Sequence, residues 1–381
     1  MANTLKFGNE NWATQKNSIL AYNDENDNFK PLPFVTSRAT TATRVNKAGL
    51  LETVGVGIPR VDYLGNTKGA LLLEPQSTNL FPYSEDFENS AWAKNTGTTI
   101  TNNYAISPDG TQNAARYLGT GTSGIADKFT LSVTEHTISF WVKSNNGVNQ
   151  FCQLLGDSNQ GSGNLLVTTE WTRLSHTFTA SGLANKSNGI FRDSSNNNID
   201  ILIWGAQLEQ SSYASSYIPT SGSTVTRLAE TASQTIPDGV VNSSEGVLYT
   251  EISGFENDAI SRAISISDGT TSNRINLFLP SSQTQVVGRV SSEGVTVADM
   301  IYTGITQTSY NKIAVKWKVN DFALWVNGVE VLTDSSGPVP TGLSQVSFDN
   351  ASGTLFLGNC KDLRVYKRAL TDAELVTLTK V

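Results

Sequence analysis

HTISFWVKS, residues 136 to 144, is the stretch on which the reading of the fold turns. Taken two residues at a time, Ile138, Phe140 and Val142 fall on one side of an extended chain, and Ser139, Trp141 and Lys143 on the other. Successive side chains of a strand point to opposite faces, so the pattern predicts a half-buried β-strand. NLLVTTEW (164–171), TRLSHTFTA (172–180) and IDILIWGAQLE (199–209) follow at fairly even spacing, with Gly, Asn and Ser turns between them. Downstream, GVLYTEIS (246–253), NKIAVKWKVN (311–320), DFALWVNGVEVL (321–332) and GTLFLGNCKDLRVY (353–366) repeat the style without repeating the sequence. The VND and VNG turns between the last of these suit hairpins, because Asn and Gly tolerate positive φ. Many short strands and almost no helical periodicity predict an all-β chain of two antiparallel jelly-roll or β-sandwich domains in series. The single helix signal is at the end, where Thr371 to Glu374 forms a capping box ahead of Leu375 and Leu378.

Composition agrees with that class. The chain has 381 residues, too many for one ordinary core, and only 16% are charged. Asn, Ser, Thr and Gly are abundant, as polar loops between strands require. A net charge of -7 without a basic stripe argues against nucleic acid as a partner. No apolar run approaches the roughly 20 residues of a membrane span, so no insertion is expected. Residues 1 to 25 are polar and of mixed charge, with no visible secretory signal. Cys152 and Cys360 lie far apart and read as two buried thiols in different domains. With His136 and His176 equally dispersed, a zinc site has no ligand set.

The boundaries read as follows. Residues 1 to 34 form a short irregular segment whose scattered aromatics suggest docking on a neighbouring subunit or larger assembly. Residues 35 to 75 form a connector of short strands, including Leu71 to Leu73 ahead of Pro75. The first sandwich spans 76 to 222 and the second 223 to 381.

Several separated motifs, in order, carry a resemblance. FVTSRATTATRVNKAGLLETVGVGIPRVDY (34–63), GALLLEPQSTNL (69–80), YSEDFENSAW (83–92), WTRLSHTF (171–178) and WGAQLEQSSYASSYIPTSGSTVTR (204–227) resemble a module of phage and prophage tail and fibre proteins. LKFGNENW (5–12) and LAYNDENDNFKPLPF (20–34) are similar to the segment that precedes it. Residues 76 to 222 further resemble jelly-roll carbohydrate-binding modules. ALWVNGVEV (323–331) and LFLGNCKDLRVYKRALTDAEL (355–375) are similar to concanavalin A-like, laminin-G-like sandwiches. The resemblance implies a virion fibre subunit of tail or head, made in the host cytoplasm and carried on the particle. It implies a homotrimer, contacts with other virion proteins through residues 1–34, and attachment to host-surface polysaccharide. A secreted or surface lectin is the alternative, and a signal peptide would favour it. A polysaccharide depolymerase is the third reading.

The motifs of catalysis are missing. The Glu-x-Asp-x-Glu strand of concanavalin-like hydrolases does not occur: in Ser84 to Glu88, Asp86 and Glu88 share a parity and Glu85 points away. There is no GxSxG elbow, and QGSGN is not set between a strand and a helix as a phosphate loop would be. The expectation is binding without an enzyme activity. Sugars are met by aromatic faces flanked by polar groups, which singles out Trp141 and Trp325, each on the strand face opposite its apolar neighbours. Ordinary packing on a sheet covered from both sides is the competing explanation for both. No cofactor is implied apart from a structural calcium. The jelly-roll resemblance would place that ion on Asp86 or Glu88 together with Asp200, against the alternative that these are solvated surface acids.

Overall fold

The computed structural model describes residues 4–10, 12–23, 30–193, 198–237, 239–255 and 259–381. Among the described residues the strands pair antiparallel and the one helix is Asp372–Thr379. Among the described residues no helix is long and apolar enough to cross a membrane. The chain divides into two compact units. One takes Ala42–Thr53 and Gln76–Leu228, and the other takes Met1–Thr41, Val54–Pro75 and Ala229–Val381.

In the first unit the Glu135–Ser144 strand lies between Ile199–Glu209 and Thr172–Thr179 in a five-stranded sheet. Ile138, Phe140 and Val142 are fully buried on its inner face, as alternation predicts. They meet Cys152, Leu154 and Ile190 from a second sheet, in which Gln150–Gly156 pairs with Lys186–Arg192. The two inner faces together make a β-sandwich core. The Ile199–Glu209 strand breaks strict alternation. Its register against Glu135–Ser144 shifts between Trp204 and Gln207, where Gly205 takes φ +62°. That extra residue flips the parity, so Ile199, Ile201 and Ile203, then Ala206 and Leu208, all point inward.

The second unit has two runs of strands around one core. In the first run Leu5–Gly8, Gly358–Tyr366, Glu245–Ser253, Asn311–Lys318 and Phe322–Val326 pair in that order. In the second, Lys30–Ser37, Thr231–Thr235, Gln345–Ser347, Arg262–Ser267 and Arg274–Leu279 pair in that order. Ser18–Asn23 bonds to both Leu5–Gly8 and Lys30–Ser37 and so joins the runs. Leu248, Ile264, Leu277, Val315, Trp317, Leu324 and Val365 fill the space between them. The C-terminal helix starts as expected: the Thr371 hydroxyl accepts from Glu374 N–H, and the Glu374 carboxylate accepts from Thr371 N–H at 2.9 Å.

Two expected boundaries are corrected. The described part of residues 1–34 is not a separate docking segment. It supplies Leu5, Phe7, Ile19, Ala21 and Phe34, all fully buried in the core of the C-terminal sandwich. Alone the segment lacks a partner for its apolar side, and it finds one in strands roughly 200 to 360 residues away. The connector divides likewise: the hairpin of Ala42–Val45 and Leu51–Val54 belongs, up to Thr53, to the jelly roll, whereas Ala70–Leu73 pairs with Gly358–Tyr366. Both cysteines are free and buried, one in each unit, and burial pushes both thiols up, Cys152 to about 12.

A buried ion cluster holds the pieces of the second unit. Arg60 donates to Glu74 at 2.7 Å and to both carboxylate oxygens of Glu230, and Arg38 donates to the same Glu230 at 2.5 Å. All four side chains are almost inaccessible. Two guanidinium groups and two carboxylates cancel formally. Removing one partner leaves a buried charge uncompensated, which costs about 3–5 kcal/mol. Arg60→Met is therefore expected to lower the stability of the full chain by about 3–5 kcal/mol in chemical unfolding. A loss below 1 kcal/mol, the size typical of a solvated surface pair, would show that the cluster is not a buried network.

Candidate functional site

The residues singled out from sequence do not converge on one site. Trp325 is 4% exposed. Its ring packs with Tyr249, Tyr366, Leu375 and Leu378, beneath the C-terminal helix, so it is not an open sugar platform. Trp141 is half-buried on the outer face of its sheet, beside Trp204, Tyr217 and Leu51. The Leu51–Val54 strand covers part of that face. Parity assigned both Trp residues to the correct side, but what covers that side was not readable.

The proposed calcium ligands also separate. Asp86 accepts from the Asn102 amide at 2.7 Å and Glu88 from the Asn102 backbone N–H at 3.2 Å, so these two share a neighbourhood. Asp200 is held elsewhere. Both of its oxygens accept from Arg116 at 2.8 Å, and Asn145 adds a third bond at 3.0 Å. Arg116 foremost holds the Asp200 carboxyl below its usual range. Among the described residues no three His, Cys, Asp or Glu side chains are placed to hold a metal ion.

Two other features carry binding character. On the outer face of the jelly roll's second sheet, Phe151 is 46% exposed and lies across from Leu166, also open to solvent. Two residues along, Gln153 donates to Asn164 at 2.9 Å and faces Phe191 on the neighbouring strand. The alternation of Phe151, Gln153 and Leu155 against buried Cys152 and Leu154 was the signal for this face.

The larger feature is a cleft of about 600 Å³ in the C-terminal sandwich. Its floor is the outer face of Glu245–Ser253 and Gly358–Tyr366, with Tyr249, Glu251, Asp362 and Arg364 in two cross-strand pairs. The helix contributes Thr377 and Leu378 to the lining, and the N-terminal pieces contribute Asn9, Asn66, Thr67 and Lys68. A β-bulge shapes the floor. Glu251 pairs with Asp362 and Ile252 with Cys360, which leaves Lys361 unpaired and turned to the cleft while Cys360 stays in the core. Lys361 Nζ sits 3.5 Å from the Tyr310 ring centroid and 4.0 Å from Glu251. Arg364 holds Asp362 through two bonds, at 2.5 and 3.2 Å. Lys312 completes the set, its ammonium donating to the Lys380 carbonyl at 2.7 Å.

Among the described residues the cleft has one accessible carboxylate. Asp362 is 2% exposed, and both of its oxygens are taken by Arg364, so only Glu251 faces the open space. Glycoside hydrolysis uses two carboxyl groups flanking the scissile bond, and this floor presents half of that pair. The arrangement is fitted to hold a polar ligand.

No protein-family model and no curated protein matches the chain. Among solved structures, it overlaps the CBM40 of the Ruminococcus gnavus IT-sialidase bound to α2,3-sialyllactose. That match has 18% identity, covers 37% of this chain and 84% of that one, and has a TM-score of 0.32. The N-terminal CBM22-1–CBM22-2 tandem of Paenibacillus barcinonensis Xyn10C matches at 12% identity, over 77% and 98% of the two chains, with a TM-score of 0.29. Domains LG4-5 of the mouse laminin α1 chain match at 9% identity, over 80% and 92%, with a TM-score of 0.26. At such scores none of these overlaps assigns a site or a ligand to the chain.

Gly8 decides whether the N-terminal wall can form. It takes φ +94°, and a Cβ there would lie 2.2 Å from the Lys361 carbonyl oxygen. Gly8→Ala is expected to destabilise the chain by about 1–3 kcal/mol, through the strained φ and the backbone clash together. Thermal unfolding checks this, and a melt identical to that of the parent chain would mean that the first strand is not seated against Lys361.

Proposed function

We propose that this chain is a non-catalytic glycan-binding attachment protein, a subunit of a phage virion fibre that holds host-surface polysaccharide. The observation that carries the reading is the cleft of about 600 Å³ with convergent Glu251, Lys312, Lys361, Arg364 and Thr377 side chains and, among the described residues, one accessible carboxylate. Pockets of about 300–1,000 Å³ with a few placed polar groups are the usual form of a small-ligand site. The Phe151 face of the jelly roll supplies a second, aromatic contact of the kind sugar C–H surfaces stack on. The virion assignment is supported by the ordered motifs between residues 34 and 227 that resemble tail and fibre proteins. Such proteins are commonly trimers, and three copies presenting weak sites together raise avidity by about 10²–10⁴.

The test is to incubate the purified protein with host envelope polysaccharide and follow both retention and chain length. Retained, uncut chains are expected, with Phe151→Ala weakening retention. Shortened chains would make the protein a depolymerase, and absence of retention on any host glycan would remove the glycan reading. Sedimentation tests the assembly separately: a trimer is expected, and a stable monomer at micromolar concentration would overturn it.

A further inference from the structure

We infer that the cleft of the C-terminal sandwich binds the carboxylate of an acidic sugar, with Lys312 and Lys361 as the groups that recognise it. This rests on the glycan-binding reading proposed above and names the class of glycan. The lining holds four cations, Lys68, Lys312, Lys361 and Arg364, against two carboxylates, Glu251 and Asp362. The carboxylates are already matched. Arg364 neutralises Asp362 through two bonds, and Glu251 faces Lys361. Lys312 lies across from Glu251 on the neighbouring strand, but its ammonium donates to the neutral Lys380 carbonyl, and Lys68 reaches Glu10 at 3.7 Å through two side chains that are mostly in solvent. A surplus of positive charge therefore faces open space.

The cations act on one another. Lys361 is held below the usual lysine range chiefly by burial; attraction to Glu251 opposes this, and repulsion from Lys312 and then Lys68 adds to it. An anion entering the cleft relieves that repulsion, and binding it is favoured by the same field. The form of the anion follows from the rest of the lining. Glu251 in the floor, and a net chain charge of -7, disfavour a densely charged polyanion such as a nucleic acid. One negative charge per ligand unit, surrounded by hydroxyls for Glu251, Asn9, Thr67 and Thr377, fits the groups that remain. A uronic or sialic acid residue within a polysaccharide has that chemistry.

The experiment uses the full chain and three sets of oligosaccharide probes. One carries uronic or sialic carboxylates, one is the same set with the carboxylates reduced to alcohols, and one carries sulfates instead. Calorimetry or affinity electrophoresis reads the binding. The carboxylate set is expected to bind, to weaken as salt rises and the Debye length falls from about 10 Å at 0.1 M to about 3 Å at 1 M, and to lose about tenfold or more in affinity on reduction. Lys361→Gln and Lys312→Gln are each expected to lower carboxylate binding by about tenfold, as loss of one charged hydrogen bond does. Lys318→Gln, outside the cleft, should not. Far-ultraviolet dichroism and the melting curve show that the variants remain folded. Equal binding of acidic and reduced probes, or binding unaffected by both lysine variants, overturns this inference and leaves the glycan reading standing. Preference for the sulfated set overturns the carboxylate class. Binding of none of the probes overturns this inference, and the glycan reading falls with it only if host polysaccharide is not retained either.

Discussion

The contact between Arg60 and Glu230 is the one on which the arrangement of this chain depends. The polypeptide leaves the C-terminal sandwich after Thr41, returns at Val54, leaves again after Pro75 and returns at Ala229. Arg38, Arg60, Glu74 and Glu230 each lie within a few residues of one of those crossings. The cluster therefore joins three separate pieces of sequence at one buried point. Taking four charges out of water is expensive, and a close, fully hydrogen-bonded and formally neutral set limits that cost. Pulling any one of the three pieces away would separate buried charges from partners they meet here, so the cluster ties the pieces to one another.

Much of this architecture was readable from residue parity. Alternation in HTISFWVKS located the jelly-roll core, the capping box located the helix, and the strands of the second sandwich followed from apolar runs and hairpin turns. Parity says which side of a strand is buried but not against what. Residues 1 to 34 read as a docking segment with scattered aromatics because the partners of Phe7 and Phe34, such as Phe348, lie hundreds of residues away. The same limit governs the sites. Trp325 is on the outer side of its strand, as its position implies, and a helix of eight residues then covers it. Asp200 stands alone in sequence, and only the register across the sheet brings Arg116 to it. The cleft itself is built on a bulge, a one-residue irregularity that no spacing rule announces.

The two units use their outer faces differently. In the jelly roll, one outer face is partly occupied by the Leu51–Val54 strand and its neighbours, and the opposite one leaves Phe151 and Leu166 in solvent. In the C-terminal sandwich, the helix covers one part of an outer face and leaves a charged hollow beside it. An apolar sheet and an ionic cleft are complementary ways to hold a polysaccharide, since a sugar chain offers both C–H surfaces and polar groups.

The pairing of the first strand with the last also sets an order for synthesis. Thr4 bonds to Val365, a partner 361 residues further along the chain. At about 5–20 residues per second, the ribosome needs roughly 20–70 s to make that partner after Thr4 has emerged. The jelly roll draws on nothing after Leu228, so its strands are complete while the first edge of the other unit still waits. During that interval Leu5, Phe7, Ile19 and Phe34 have no core to enter. A nascent chain of this kind carries an unpartnered apolar stretch at residues 5–34 until Val365 has been made, and a holdase is needed at that stretch more than at the jelly roll, whose strands come first.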